Sequence, residues 1–204
     1  MEVLDAIRTR RCMGKVRNER PPRQLIERLI EAAGWAPNHF MTQPWRFFVL
    51  AGPAREELGR VMARALKARL EKQGKTATQE QLAGEQSRAL RAPVVIVVAV
   101  EPSTTEPRAI EMEEITSGAA AVQNLLLAAH GLGLAAYWRT GDAAYDPLVK
   151  EHFGLSPRAH IIAFVHVGYP DGELPAAKPR DLAPRTFWRG WEQASGPSPF
   201  GQRP

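Results

Sequence analysis

The stretch EMEEITSGAAAVQNLLLAAHGLGLAAYW, residues Glu111 to Trp138, decides how the rest of the chain folds. Glu111, Glu113 and Glu114 open it, and carboxylates suit the positive end of a helix dipole. From Gly118 to Ala129 every face is small or apolar, interrupted only by Gln123 and Asn124. Gly131 and Gly133 then supply the left-handed positions at which helices commonly stop. A helix apolar on all sides must be covered on all sides. A second copy of the chain is the cheapest cover, so the stretch predicts the core helix of a homodimer. A membrane span needs roughly 20 predominantly apolar residues. This run is shorter, and Ser117, Gln123, Asn124 and His130 break it.

Outward from that helix, four apolar runs predict strands. They are Trp45–Leu50, Pro93–Val100, Leu134–Thr140 and Ile161–Gly168, and PVVIVVAV at residues 93–100 carries the strongest β signal. Helical spacing recurs over Val3–Thr9, from Pro22 to Gly34, and after Gly52-Pro53 as far as Lys72. A short helix from Asp146-Pro147 stops at Gly154. Gln73–Ala92 is polar, with helical spacing from Thr78 to Leu90; it reads equally as a mobile flap or as an idle surface excursion. Helices and strands alternate without regular βαβ units, which predicts an α+β sandwich. Beyond Gly168, seven prolines punctuate a tail that still carries Phe187, Trp188, Trp191 and Phe200. Such aromatics predict a segment packed on a surface, the partner's among the candidates.

Composition narrows the function. The chain has 204 residues, 44% of them hydrophobic, enough for one generous domain. Its 27 basic and 22 acidic residues give a net charge of +5. The bases are scattered among acids, so no nucleic-acid-binding arm is expected, although an anionic ligand is. A single cysteine, Cys12, excludes an internal disulfide and a cysteine-based zinc site. The five histidines lack metal-site spacing, so no metal is expected. Met1–Arg11 mixes acids, bases and apolar residues, which predicts a cytoplasmic protein rather than an exported or membrane one.

Two stretches carry candidate chemistry. Arg8, Arg10 and Arg11 precede Cys12, with Lys15 and Arg17 after it. Arginine forks bind phosphate bidentately, while cations at a helix end also offset its dipole; both readings stand. The loop WAPNHFMTQPW, Trp35 to Trp45, gathers aromatics, Asn38, His39 and Gln43 between prolines. It could wall a pocket, or its tryptophans could be core. His39 alone reads more readily as a structural histidine than as a ligand. Cys12 reads as a small buried hydrophobe.

Taken in order, R-R-C, then A-A-x-x-A-P-N-H-x-x-x-Q-P-W before a strand, then an apolar helix into G-L-G-L-x-x-Y-W-R-T-G, the sequence resembles the FMN-dependent nitroreductase family, and within it the short NAD(P)H nitroreductase subgroup. The likeness runs from Met1 to about Pro170. It implies a nitroreductase-like α+β fold: a central, mostly antiparallel sheet flanked by helices, in an intertwined homodimer with two FMN sites at the interface. Residues 1–170 would form the FMN-binding domain, and 171–204 an extension packing on the partner. The resemblance places FMN against Arg10, Arg11 and Cys12, against Trp35 and His39 from the other subunit, and against Trp138, Arg139 and Thr140. Ala128–Gly133 matches a stretch linked with the nicotinamide. The implied activity is FMN-dependent oxidation of NADH or NADPH with reduction of nitroaromatic, quinone or related acceptors, without a protein acid or base. A specialised or non-redox flavin-binding member of the same fold is the alternative, such as a single-metabolite reductase, a dehalogenase or a flavin-fragmenting enzyme.

Three departures stand out. Cys12 replaces the usual serine, and a thiol is the weaker hydrogen-bond donor. Gly14 stands at an often basic position, with Lys15 adjacent. Trp35 replaces an arginine common in the subgroup.

Overall fold

The computed structural model describes residues 1–173, 176 and 181–191. Helices α1 (Val3–Thr9) and α2 (Arg23–Gly34) precede strand β1 (Trp45–Ala51). Then come α3 (Pro53–Lys72), α4 (Gln79–Arg88), β2 (Val94–Val100), α5 (Glu111–Gly131), β3 (Ala135–Arg139), α6 (Pro147–His152) and β4 (His160–Gly168). The strands form one sheet of order β1-β2-β4-β3, every adjacent pair antiparallel. The α+β sandwich expected from the sequence is therefore observed.

Central position explains the composition of β2, whose seven residues are all buried. Helices cover it on both sides, so the strand reads as one apolar run rather than as an alternation. On one face, Val94, Ile96, Val98, Ala136, Val165 and Val167 pack against Ile26 and Leu29 of α2 and against Val122, Leu125 and Ala129 of α5. On the other, Val95, Val97, Ala99 and Phe164 meet Leu58, Val61, Met62 and Ala65 of α3, together with Val149 of α6. Full burial of a side chain such as Leu125 is worth roughly 1.5–3 kcal/mol.

A β-bulge in β4 sets how closely α5 can lie. The register passes from Val98↔Ala163 to Ala99↔Ile161, leaving Ile162 as the extra residue. Ile162 turns to the α5 face, where Gly118 receives it. A Cβ at position 118 would stand 2.5 Å from Val100 Cγ2 and 3.1 Å from Ile162 Cγ1. Gly118 is thus a contact surface rather than a point of backbone freedom.

The flap reading of the 73–92 segment gives way to a docked helix. Thr78 and Gln81 form a reciprocal capping box at the start of α4. Gly59 of α3 admits the Gln86 carbonyl so closely that a Cβ there would meet it at 2.5 Å. The buried His166 of β4 lies with Nε2 2.9 Å from the Arg88 carbonyl. A carbonyl only accepts, so Nε2 carries the proton and donates. Nδ1 is buried without a partner.

Burial holds the His166 pKa below its usual value, with Arg139 and Arg91 adding to the effect and the bond to Arg88 opposing it. A histidine with a depressed folded-state pKa leaves stability unchanged while both states are neutral. Stability then falls as pH drops below the unfolded value of about 6.5, because the unfolded chain takes up the proton first. Urea midpoints at pH 7.5 and pH 5.5 check this. The parent should lose stability relative to His166→Gln on acidification, and an equal gap at both pH values would exclude the effect.

In the single chain α5 is covered on one side only. Ser117, Gly118, Ala121, Val122, Leu125, Leu126 and Ala129 are buried. Met112, Gln123 and Gly131 are exposed, and Ile115, Ala119 and Leu127 are half-buried between them. No helix among the described residues is long and apolar enough to cross a membrane.

Candidate functional site

The segment after α1 lies along the outer edge of β3. Cys12 bridges Ala136 in parallel, Val16 bridges Pro170, and Arg17 N–H donates to the Tyr169 carbonyl at 2.9 Å. Gly168 lets the chain cross, since Val16 Cβ would be 3.0 Å from a Cβ there. This route brings Arg10, Arg11 and Cys12 beside the strand that carries Trp138 and Arg139. The Trp138 indole donates to the Ile162 carbonyl at 3.1 Å, anchoring it at the bulge. Arg139 lies 5.7 Å over the Tyr137 ring, and Thr140 is exposed just past the strand.

Charge at this edge is unbalanced. Among the described residues, Arg10, Arg11 and Arg139 have no carboxylate partner. Arg10 reaches only the Cys12 sulfur, at 3.6 Å. Arg11 donates to the Arg8 and Arg10 carbonyls, both at 2.7 Å, so the helix-end reading of the sequence holds for its Nη1. Cys12 is exposed, which corrects its reading as a buried hydrophobe. The Arg10 bond and the strand bridge hold it at the surface.

His130, near the end of α5, registers the same positive field. Its pKa is lowered by burial first, then by Arg10 and Arg11. The Thr9 hydroxyl donates to the Asp5 carbonyl at 2.6 Å, so His130 Nε2, 2.8 Å away, must be the donor to Thr9. Nothing in the local sequence marks His130, because the arginines that face it are over a hundred residues away.

The loop after α2 is strained. Phe40, Met41 and Gln43 have φ of 56°, 54° and 46°. Non-glycine residues in that region cost roughly 1–3 kcal/mol each and cluster at functional sites. Asn38 Oδ1 accepts from Gln43 N at 2.9 Å. His39 Nδ1 lies 2.8 Å from Glu113 Oε2, in the first turn of α5. All three opening carboxylates of α5 have such distant partners. Glu111 meets His160 at 2.6 Å, and Glu114 accepts from Ser103 N at 2.9 Å. Trp35 is 80% exposed and lines a groove of about 420 Å³ with Met1, Arg28, Ala32, Ala128 and Leu132. Trp45, by contrast, packs on the core.

These residues form two groups. At ~1.5 Å per residue, α5 separates Glu113, which holds His39, from His130, beside Arg10, by about 26 Å. One mononucleotide does not span that distance, so a single chain does not bring His39 to the arginines. A further hollow of about 290 Å³ between α3 and α6 contains none of these residues, and its Glu57 is paired with Arg60. No metal-binding group of three His, Cys, Asp or Glu occurs among the described residues.

The Nitroreductase family profile matches residues 7–169. The chain is 32% identical over 179 residues to "Putative NAD(P)H nitroreductase YfhC" of Bacillus subtilis, covering 87% of this chain and 89% of the relative. A solved nitroreductase-like protein of Bacillus cereus superposes with a TM-score of 0.78 at 26% identity, over 94% of this chain and 97% of its own. A Desulfovibrio desulfuricans protein, described as a "putative nitroreductase in complex with FMN", superposes with a TM-score of 0.70 at 26% identity, over 94% and 99%. The matched span contains every strand of the sheet, the α5 helix and both groups of candidate residues, and the chain belongs to the nitroreductase family.

Proposed function

We propose that the protein is an FMN-dependent oxidoreductase that takes electrons from NADH or NADPH and passes them to nitroaromatic, quinone or related acceptors. One observation carries the reading: Arg10 and Arg11, beside the start of β3, and Arg139, at its far end, have no carboxylate partner among the described residues. A phosphate-bearing ligand supplies the missing charge, and guanidinium forks match its oxygens. The donor set therefore fits FMN, with Cys12 as the weak member. Bound flavin would supply the hydride and electron chemistry; the chain binds it, orients it and sets its surroundings.

The residues then divide the work. Arg10, Arg11 and Cys12 hold the phosphate side, and Trp138, Arg139 and Thr140 line the strand edge. Of the cations along this edge, Arg139 is the one that would favour a negatively charged reduced ring, because Arg10 lies on the phosphate side and Lys15 is paired with Asp171 at 3.2 Å. Trp35 and His39 wall the site of a second copy. For His39 that pairing is supported by the roughly 26 Å between Glu113 and His130 in one chain, and for both residues by apolar surface left uncovered. Val3, Leu4 and Ile7 of α1, Met112 of α5, and Phe187, Trp188 and Trp191 of the 171–204 extension are all exposed. Phe200 and five of the seven tail prolines, Pro175, Pro179, Pro197, Pro199 and Pro204, lie outside the described residues.

A visible absorption spectrum of the purified protein, followed by anaerobic NADPH and NADH, tests the proposal. The expected result is a flavin spectrum that bleaches with a reduced nicotinamide and recovers with a nitroaromatic or quinone. A flavin band that persists under both reductants favours the specialised member of the fold. Absence of a flavin band after FMN is added would overturn flavin binding itself.

A further inference from the structure

The 38–43 loop has a conformation that its own sequence does not favour. Phe40, Met41 and Gln43 occupy left-handed backbone, yet none is glycine, asparagine or aspartate. Within the loop one side-chain bond, Asn38 Oδ1 to Gln43 N, supports that shape, and the Thr42 hydroxyl oxygen is buried without a partner. The force that holds the loop must come from outside it.

It comes from a column of side chains. Glu106 orients Arg108 by accepting from Nε at 2.8 Å and Nη2 at 3.1 Å, and also from the Arg108 backbone N–H at 3.0 Å. The Arg108 guanidinium lies 4.3 Å over the Phe40 ring. The His39 ring stacks on Phe40 at 3.8 Å with an interplanar angle of 15°. Two groups this close to one ring cannot share a face, so Phe40 is sandwiched between them. Glu113 closes the column at 2.8 Å from His39 Nδ1. Its order is carboxylate, guanidinium, aromatic ring, imidazole, carboxylate, and each neighbour attracts the next. An ionised carboxylate only accepts, so Nδ1 donates to Glu113, and Nε2 has no hydrogen-bond partner among the described residues. His39 and Met41 are exposed on the outside of the loop.

We infer that Glu113 and Arg108 are positioning residues that clamp the 38–43 loop to the start of α5 and, through Phe40 and His39, fix the wall that the loop presents to bound flavin. The flavin part rests on the function proposed above; the clamp rests on the column alone. Without the clamp the loop relaxes out of its left-handed form and the His39 ring loses its fixed orientation.

Glu113→Ala, Glu113→Gln and Arg108→Ala test this by two measurements. The first is amide hydrogen exchange at residues 39–43, which needs no flavin. The second is the FMN dissociation constant, with visible circular dichroism of the bound flavin as the sign of an altered wall. In Glu113→Ala and Arg108→Ala, exchange should rise about tenfold in this loop alone, as for a local opening. FMN should dissociate about tenfold more readily with a changed dichroism band, and Glu113→Gln, which keeps an acceptor oxygen, should restore both. Unchanged exchange in both alanine variants overturns the clamp. Faster exchange with unchanged FMN affinity and dichroism overturns the positioning role. A parent that binds no FMN overturns the flavin reading and the positioning role with it, and is told apart because exchange would still respond to Glu113.

Discussion

Gly118→Val should lower the melting temperature by up to about 12 °C, or leave the protein insoluble. A Cβ alone at this position would lie 2.5 Å from Val100 Cγ2, well inside contact distance, and 3.1 Å from Ile162 Cγ1. Val100 is fully buried in the central strand, and Ile162 is fixed by the bulge, so neither can swing away. Overpacking of this kind costs about 1–3 kcal/mol or more, and valine adds two further methyl groups. For a chain of this size each kcal/mol shifts the melting temperature by roughly 2–4 °C. Gly118→Ala separates close contact from helix propensity. On propensity alone it should stabilise by up to ~1 kcal/mol, whereas the contact predicts a loss. Trimming the opposing methyl with Val100→Ala should make the double variant more stable than the two single losses added together. Melting curves of the four proteins decide it, and a rise in melting temperature for Gly118→Ala would exclude the contact argument.

Arg10→Ala should weaken FMN binding roughly 10- to 150-fold, corresponding to the ~1.5–3 kcal/mol of a hydrogen bond to a charged group. Stability should hardly change, because among the described residues the Arg10 side chain has the Cys12 sulfur as its only polar partner. Riboflavin, which lacks the phosphate, provides the control. Its affinity should be nearly the same for parent and variant, so the FMN-to-riboflavin ratio isolates the phosphate contact. Flavin fluorescence titrations measure both. If Arg10→Ala keeps the parent's FMN affinity, Arg10 does not hold the phosphate.

The elements of the fold were legible because each is locally consistent. The apolar run of β2, the Pro-led starts of α3 and α6, and Gly133 after α5, at φ 75°, leave little choice of conformation, whereas Gly131, expected to be left-handed, stays within the helix. The sequence also shows that α5 is apolar around its circumference, but not which side this chain covers. That depends on where the sheet lies, and the sheet's closeness to α5 follows from one extra residue in β4. Candidate site residues were legible where they sit in short motifs, as Arg10, Arg11, Cys12, Trp138 and Arg139 do. Others depend on pairs far apart in the chain. Glu113 reads as a dipole-matched carboxylate until the fold brings His39 to it. Arg108 reads as a solvated base until Phe40 lies beneath it. Left-handed backbone at Phe40, Met41 and Gln43 has no sequence signal, since it opposes local preference.

The docking of residues 12–17 has a consequence for the order of assembly. Cys12 bridges Ala136, Val16 bridges Pro170, Arg17 donates to Tyr169 and Asp171 N–H donates to the Lys15 carbonyl at 3.1 Å. Chains emerge from the ribosome from their N-terminal side at about 5–20 residues per second. Arg10 and Cys12 are thus synthesised more than a hundred residues ahead of the strand edge that receives them. Until Pro170 is made, β1 and β2 can pair while residues 12–17 lack the complete strand edge on which they rest. The segment proposed to meet the ligand is translated ahead of the strand edge that completes it.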